Sequence, residues 1–599
     1  MSNDPFTEEV HKRDLDHCTI VEGESTVESN SSKKIKLDPT TNPQEQPIEQ
    51  RTQDSEAEGM WWRLRLKNLP KFTDPKSLKK YLSKVGIENV KLNKAPKWDY
   101  AFLTFQNEQE QKVAIEKLKD AVMKKNTLQV EVANMSAEER AATFDKRATK
   151  KHAELEADTR TPSEKLADQV TPLHKLSYED QIQQKTKSIH KVLSEFRKKI
   201  SALTTNDENT REFLAWANGK SEFGQNLPCE VLPTVASPET NFYRTKCEFT
   251  FGRNLAGDKT VGFLLGLFRD GLTTVLSPEE CLHVSEPAKK LARMMEEYVR
   301  ASEYDVYDRV TKQGTWRTML VRTQRTGEVM VIVQFSSQGM SEQQISEEKE
   351  KLKKYFQSDA ESDKVKVSTL LIQIWDGLSN GMTDKAPLET LFGPGYVHEE
   401  LLGFKFQISP TAFFQVNTPA TECLYSIVRD WCALNANGTE VNKTTLLDLC
   451  CGTGTIGITM AKSVEKVIGI ELCREAVEDA RMNAKLNGLE NTEYICSKVE
   501  DALHMVKRFK DSDSVVAVLD PPRSGVHQSV LKAVRSCSAL KRIIYVSCDA
   551  NQALSNFISL CRPTSNNWEG NPFKPKRAVP VDLFPLTKHC ELIIEFERQ

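Results

Sequence analysis

The sequence predicts a multidomain protein running from a small α+β domain, through a β-rich middle domain, to a C-terminal α/β domain. Three observations carry this expectation. The chain has 599 residues, more than one hydrophobic core ordinarily serves. Near residue 60 a long polar stretch gives way to alternating aromatic and apolar residues. After residue 406 the pattern becomes strand, glycine turn, helix, strand, helix.

Taken in order, residues 1–58 are rich in Ser, Thr, Glu, Gln and Asn, and bury too little apolar surface to offset the entropy of ordering, so they read as a disordered tail. Residues 60–135 hold a strand in WWRLRLKNLP, an amphipathic helix in DPKSLKKYLSKVG, a short strand near Val90 and an aromatic strand in DYAFLTF. A second helix in EQEQKVAIEKLKD and a strand in TLQVEVA complete a β-α-β-β-α-β order. Residues 136–226 are charge-dense, with Pro162 and Pro172 as breakers, and read as a charged helical linker where little chemistry is expected. Residues 227–405 carry the strand-like runs YRTKCEFTFG, VGFLLGLF, TMLVRTQ and EVMVIVQF, with one helix near 286–300. Residues 406–599 have the repeated pattern of a mostly parallel sheet, where a cofactor is expected.

Lys and Arg number 82 against 85 Asp and Glu, a net charge of -3, so a polyanion would have to be held by local basic patches. The 14 cysteines lack the pairing of a disulfide framework or a zinc site, and no metal is expected. The stretch MSNDPFTEEVHKRDLD has no apolar core and no run reaches the ~18 apolar residues of a membrane span, so a soluble intracellular protein is expected. Lys33, Lys34 and Lys36 form a cluster short enough to be a solvated patch, which leaves cytoplasm and nucleus both open. Protein partners and oligomeric state are not legible.

In TTLLDLCCGTGTIGITMAK an apolar strand precedes a turn in which Gly452, Gly454 and Gly457 let backbone approach a ligand. The spacing also satisfies G-x-G-x-x-G, so a dinucleotide site competes. Glu471, ending VIGIEL, suits a ribose diol in either case. In AVLDPPRSGVH a strand ends at Asp520 and the paired prolines force a rigid turn. The carboxylate can accept from a flat substrate, and Arg523 can hold a phosphate. The strand of KRIIYVSCDANQAL ends at Ser547-Cys548-Asp549 before a helix, which puts a thiol where the helix dipole would favour thiolate. Cys229, Cys423, Cys473, Cys537 and Cys561 read as inert buried thiols, and Cys450 and Cys451 as packing residues. The closing run HCELIIEF offers Glu591 as a general base, with His589 as an alternative.

Together the glycine turn, DPPR, SCD and HCE resemble the RNA uracil-5-methyltransferase family over roughly residues 228–599, in the family's order. AFFQVNTPATECLY is similar to the stretch in which a glutamine, here Gln415, contacts cofactor or substrate. The resemblance implies a Rossmann-like domain binding S-adenosylmethionine and a tRNA or ribosomal RNA substrate. It implies that Cys548 adds to carbon 6 of uracil, that carbon 5 takes the methyl, and that Glu591 removes the proton. Asp520 and Gln415 would orient base and cofactor, Glu471 would hold the ribose, and the target base would leave its stack. No cysteine set between residues 136 and 300 has the spacing of an iron-sulfur cluster, which favours the tRNA branch and its T-loop uridine.

The N-terminal domain resembles an RNA recognition motif, with LRLKNL as hexamer and WDYAFLTF as octamer, so Tyr100 and Phe102 fall at stacking positions. Arg65 stands where the hexamer has an aromatic, and Trp98 and Asp99 replace the usual basic residue and glycine. One stacking platform is therefore expected to be missing, and Asp99 to repel phosphate. Two other readings compete: methylation of a different RNA pyrimidine, and an RNA-binding or chaperone protein whose methyltransferase domain has decayed.

Overall fold

A computed structural model describes residues 62–136, 139, 142 and 159–598, apart from 71–72, 89, 96–97, 106, 204–207, 219–220, 225, 267–271, 359–364, 378–380, 433–441 and 507–513. The expected tail at 1–58 and the cluster at Lys33, Lys34 and Lys36 lie outside the described residues. The chain divides into two compact units, Met1–Ala137 and Glu138–Gln599.

The first unit runs β1 (Trp62–Lys67), α1 (Pro75–Lys84), β2 (Lys91–Asn93), β3 (Ala101–Phe105), α2 (Glu108–Leu118), the small hairpin β4 (Val122–Met123) and β5 (Asn126–Thr127), and β6 (Gln129–Val132). Asp74 caps α1 by accepting from Ser77 N–H at 2.9 Å, and Asn107 caps α2 by accepting from Glu110 N–H at 2.9 Å. The antiparallel sheet has the order β2-β3-β1-β6. Alternation along β1 buries Leu64 and Leu66 beneath the helices and sends Arg63, Arg65 and Lys67 to the other face.

The second unit opens with helices α3 (Pro162–Val170), α4 (Tyr178–Ser201) and α5 (Glu208–Phe213) and the short strand β7 (Glu230–Val231). The middle sheet follows: β8 (Lys246–Arg253), β9 (Lys259–Leu264), β10 (Val275–Leu276), β11 (Trp316–Thr323), β12 (Val329–Phe335), β13 (Thr369–Ile374) and β14 (Leu388–Phe392). Their order is β10-β9-β8-β11-β12-β13-β14, with α6 (Glu286–Ala301) and α7 (Glu342–Gln357) contributing their apolar faces to one core. A hairpin, β15 (Val397–Leu401) and β16 (Phe404–Ile408), then leads to α8 (Thr418–Trp431).

The last layer is an eight-stranded sheet of β17 (Asn442–Leu449), β18 (Val464–Glu471), β19 (Thr492–Cys496), β20 (Ser514–Leu519), β21 (Leu540–Ser547), β22 (Phe573–Val581) and β23 (Glu591–Arg598), with β7 at one edge. The order is β19-β18-β17-β20-β21-β23-β22-β7. Its helices are α9 (Thr455–Met460), α10 (Arg474–Leu486), α11 (Val499–Val506), α12 (Gln528–Ser536) and α13 (Ala550–Cys561). The five strands β17 to β21 are parallel and the order reverses between β17 and β20, the switch point where such sheets bind ligands. A dinucleotide fold would continue with a parallel sixth strand. Here β23 inserts antiparallel between β21 and β22 instead.

Two expectations about the chain's subdivision need correction. Residue 406 falls inside β16, and the hairpin it belongs to packs on α10, where Gln407 N–H donates to Asn483 Oδ1 at 2.8 Å. The segment expected to be a linker supplies α4, whose Phe196 is fully buried against Phe557 of α13 and Trp216, with ring centroids 5.9 and 6.1 Å apart. Charge density misled here, because α4 exposes most of its charged residues on one face and buries Ile189, Val192, Leu193, Phe196 and Ile200, together with Lys185 and Arg197, on the other. Phe196→Ala is expected to cost about 3–5 kcal/mol in chemical denaturation. A loss below ~1 kcal/mol would show α4 to be a surface helix.

Candidate active site

The turn after β17 is shaped by backbone that only small residues tolerate. Gly452 and Gly454 have φ of 52° and 78°. A Cβ on Gly454 would stand 2.9 Å from the Tyr494 hydroxyl oxygen, whereas one on Gly452 would meet nothing within 4 Å, so open space fronts that backbone. Glu471, at the end of β18, accepts from Gly452 N–H at 3.1 Å and from Leu472 and Cys473 N–H at 2.7 and 2.9 Å. Its carboxylate thus ties the two strand ends together and keeps a remaining lone pair for a hydroxyl. Beneath the turn, Asp448 is fully buried. One of its oxygens accepts from Gly457 N–H at 2.9 Å, the other has no partner, and burial raises its pKa to about 7.

On the far side of the switch point, Asp520 follows β20, half-buried, with its pKa raised to about 7 by desolvation. The antiparallel ladder pairs Ser547 with Leu592, and one step further along the same register stand Cys548 and Glu591. Glu591 is buried at the start of β23, and burial, then the charge of Asp520, push its pKa well up while Arg523 opposes them. Arg523 itself is exposed. Tyr425 of α8 is buried within reach of the fields of Asp520, Asp448 and Glu591, and its hydroxyl lies 2.8 Å from Thr455 Oγ1 at the start of α9. Cys548, Asp520, Glu591 and Arg523 therefore form one electrostatic cluster at the carboxyl edge of the sheet.

The thiol's electrostatics differ from the sequence expectation. The amino end of α13 is used by Asp549, which accepts from the N–H groups of Asn551 and Gln552 at 3.1 and 3.2 Å. Cys548 lies one residue outside that cap. Burial, then Glu591 and Asp520, raise its pKa to about 11. His589 flanks the cluster, its pKa lowered by partial desolvation and then by Arg523.

Gln415 is half-buried in the loop between β16 and α8. That loop is pinned from the middle sheet: the buried Arg322 donates to Ala412 O, and Thr245 N–H donates to Val416 O at 2.9 Å. The DPPR turn is held from the opposite side by Asn556 of α13. Its Oδ1 accepts from Val526 N–H and the Tyr545 hydroxyl, each at 2.8 Å, and sits where a Cβ on Gly525 would fall, 2.4 Å away.

In the first unit, Tyr100 and Phe102 lie on the sheet face away from the helices. Trp98 stacks on Tyr100 with centroids 4.6 Å apart and planes 14° apart, Arg65 lies 4.2 Å over the same ring, and Arg63 lies 4.2 Å over Phe102. The residue that removes the hexamer's aromatic therefore supplies a guanidinium plane, and Trp98 adds a ring. Among the described residues no cluster of three or more His, Cys, Asp or Glu could hold a metal ion, and no helix is long and apolar enough to cross a membrane.

Asp448, Tyr425, Asn556 and the stacking of Trp98 were not singled out from the sequence. Asp448 left one signal, a lone acid inside the apolar run LLDL. The others act through contacts between distant segments.

Residues 394–599 match the family described as tRNA (Uracil-5-)-methyltransferase, and residues 64–129 match the RNA recognition motif. The chain is 36% identical over 539 residues to tRNA (uracil-5-)-methyltransferase homolog A of Homo sapiens, covering 90% of this chain and 83% of that one. It is 37% identical over 440 residues to homolog B of Mus musculus, covering 73% and 86%. In fold it is similar to the crystal structure of Pyrococcus abyssi tRNA (uracil-54, C5)-methyltransferase in complex with S-adenosyl-L-homocysteine, with a TM-score of 0.50, 19% identity, and coverage of 71% of this chain and 84% of that one.

A buried acid that holds its proton to about pH 7 binds more protons folded than unfolded between about pH 4 and 7, so its stability contribution falls across that window. Asp448→Asn keeps the acceptor for Gly457 N–H and removes the charge. It is expected to raise the melting temperature at pH 8 and leave it nearly unchanged at pH 4.5. Equal shifts at both values would refute the assignment.

Proposed function

Because this chain belongs to the tRNA (uracil-5-)-methyltransferase family, we propose that it methylates carbon 5 of the T-loop uridine of tRNA by covalent attack of Cys548 and proton removal by Glu591. The protein is an S-adenosylmethionine-dependent RNA methyltransferase. The observation that carries the mechanistic reading is the register that brings Cys548, one residue past the end of β21, level with Glu591 at the start of β23, with Asp520 and Arg523 in the same cluster.

The site fits the cofactor. Open space lies in front of the Gly452 backbone, Glu471 has a lone pair left for a ribose hydroxyl, and the unpartnered oxygen of Asp448 lies beneath the same turn. Gly452, Gly454 and Glu471 would hold S-adenosylmethionine, with Gln415 and Asp520 orienting it and the base. When bound, it supplies a methyl group from its sulfonium to carbon 5 of uracil, leaving a neutral thioether.

Cys548 begins the reaction by passing its proton to ionised Asp520, whose pKa of about 7 leaves that form available at neutral pH. The thiolate sulfur bonds to carbon 6, and the carbon 5–carbon 6 π pair shifts onto carbon 5 and oxygen 4, making a nucleophile of an unreactive ring. After methyl transfer, ionised Glu591 takes the proton from carbon 5. That electron pair re-forms the double bond, the sulfur–carbon 6 bond breaks, and Cys548 leaves as thiolate. Burial raises the proton affinity of Glu591, as suits a group that must remove a carbon-bound proton, while the charge of Arg523 acts in the opposite direction, toward the ionised form. Arg523, exposed at the rim, would meet an RNA phosphate. A nucleophilic thiol must stay reduced, which suits action in the cytoplasm or nucleus.

Cys548→Ala is expected to abolish transfer of labelled methyl to unmodified tRNA, and survival of transfer would remove the thiol from the mechanism. Glu591→Gln should trap a denaturation-resistant protein–RNA adduct, whereas free turnover would move the base role to His589 or water. The rate at limiting tRNA should rise through about pH 7 as Asp520 ionises, and Asp520→Asn should flatten that rise. For the first unit, the stack of Trp98, Tyr100 and Arg65 supports RNA binding. Trp98→Ala combined with Tyr100→Ala is expected to weaken tRNA binding by about 1–3 kcal/mol per stacked base lost. Unchanged affinity in a filter-binding titration would take this face out of recognition.

A further inference from the structure

The loop that ends on Glu591 is gripped by a helix that lies almost four hundred residues earlier. Val581 and Glu591 form the closing pair of the β22–β23 hairpin, and residues 582–590 between them fold into a tight excursion. At its start Asp582, fully buried, accepts from Lys185 Nζ of α4 at 2.6 Å, from the Tyr178 hydroxyl of the same helix at 3.1 Å, and from Phe584 N–H at 3.1 Å. Lys185 also donates to Phe584 O at 2.9 Å, so the two charges satisfy both backbone groups of Phe584. Further along, Leu586 adopts φ 67°, a left-handed conformation that a leucine rarely takes. Both of its backbone groups are held: its N–H donates to Gln181 Oε1 at 2.8 Å, and its carbonyl accepts from Leu173 N–H at 2.9 Å.

Strained backbone of this kind persists only where its surroundings over-determine it, and it concentrates at functional sites. A buried ion pair is no stability gain over apolar packing, so what the Lys185–Asp582 pair adds is geometry. The strained turn lies five residues before Glu591 and three before His589, on the one segment that carries both.

We propose that α4 is the positioning element of the base: Lys185, Tyr178 and Gln181 lock the 582–586 turn and thereby aim Glu591 at carbon 5 of the covalent adduct. This rests on the assignment of Glu591 as the base. Lys185, Tyr178 and Gln181 touch neither substrate nor cofactor. They act through the loop, and a misplacement of ~1 Å in a proton-transfer geometry costs on the order of a hundredfold in rate.

The test separates adduct formation from adduct decay in single-turnover reactions with full-length protein, unmodified tRNA and labelled cofactor. Gln181→Met removes the acceptor for Leu586 N–H and leaves every charge in place. Lys185→Met with Asp582→Asn removes both charges together, so no ion is left unpaired. Both are expected to form adduct within about twofold of the unaltered rate and to release it at least tenfold more slowly. Phe196→Ala, on the apolar face of the same helix, controls for loosening of α4 and should not trap adduct. If the double variant fails to fold, Gln181→Met decides alone. Formation and decay that fall together, decay at the unaltered rate, or equal trapping by Phe196→Ala would each overturn the proposal. Glu591→Gln is run alongside. If it traps adduct and the α4 variants do not, only the positioning role fails, and if it does not trap, the base assignment and the positioning role fail together.

Discussion

Strand β23 runs against its parallel neighbours, and that reversal brings its first residue, Glu591, to the edge where β17, β18, β20 and β21 end. A parallel strand in the same place would deliver its last residue there and leave Glu591, its first, at the opposite edge. The antiparallel insertion solves this by letting a nine-residue excursion, 582–590, precede the strand and be held from outside the sheet. The interior end of the strand is fixed independently, where Arg577 Nε donates to the buried Glu595 at 2.6 Å. The placement of Cys548 relative to Glu591 depends on that registration, because the pair Ser547 and Leu592 stands one step inside them.

The edge concentrates acids. Asp448, Asp520 and Glu591 are all pushed up by burial, and the thiol of Cys548 with them. Burial and mutual repulsion make it costly for such a cluster to hold several negative charges at once, so its acids keep their protons to higher pH. Arg523 is the counterweight that acts on both Cys548 and Glu591. A resting thiol near pKa 11 is protected from oxidation, since thiolate is the reactive form.

The first unit carries a different compromise. Its sheet face pairs arginines with rings, Arg65 over Tyr100 and Arg63 over Phe102, with Glu131 of β6 bound to Lys67 at 2.5 Å. Guanidinium planes stack on bases as well as on aromatics, so the face keeps its stacking surface while adding positive charge at the loss of one ring.

Local pattern was enough for much of this. The glycine turn at 452–457, the strand ends at Glu471, Asp520 and Cys548, and the β-α-β-β-α-β order of the first unit each depend on residues close together in the chain, where spacing and hydrophobic period speak directly. Motif order then named the family. What the sequence could not decide was everything set by distant segments meeting. The helix dipole went to Asp549 because capping geometry is a matter of one residue. The thiol's pKa rose because Glu591 and Asp520 arrive from other strands. The charged stretch around Lys185 read as linker because a buried lysine looks the same in sequence as a solvated one, and only the arrival of Asp582 beside it makes burial tolerable. The sequence by itself determined the chemistry available, a thiol, carboxylates and a glycine cradle. The tertiary structure decided their protonation and aim, because both depend on desolvation and on partners hundreds of residues away.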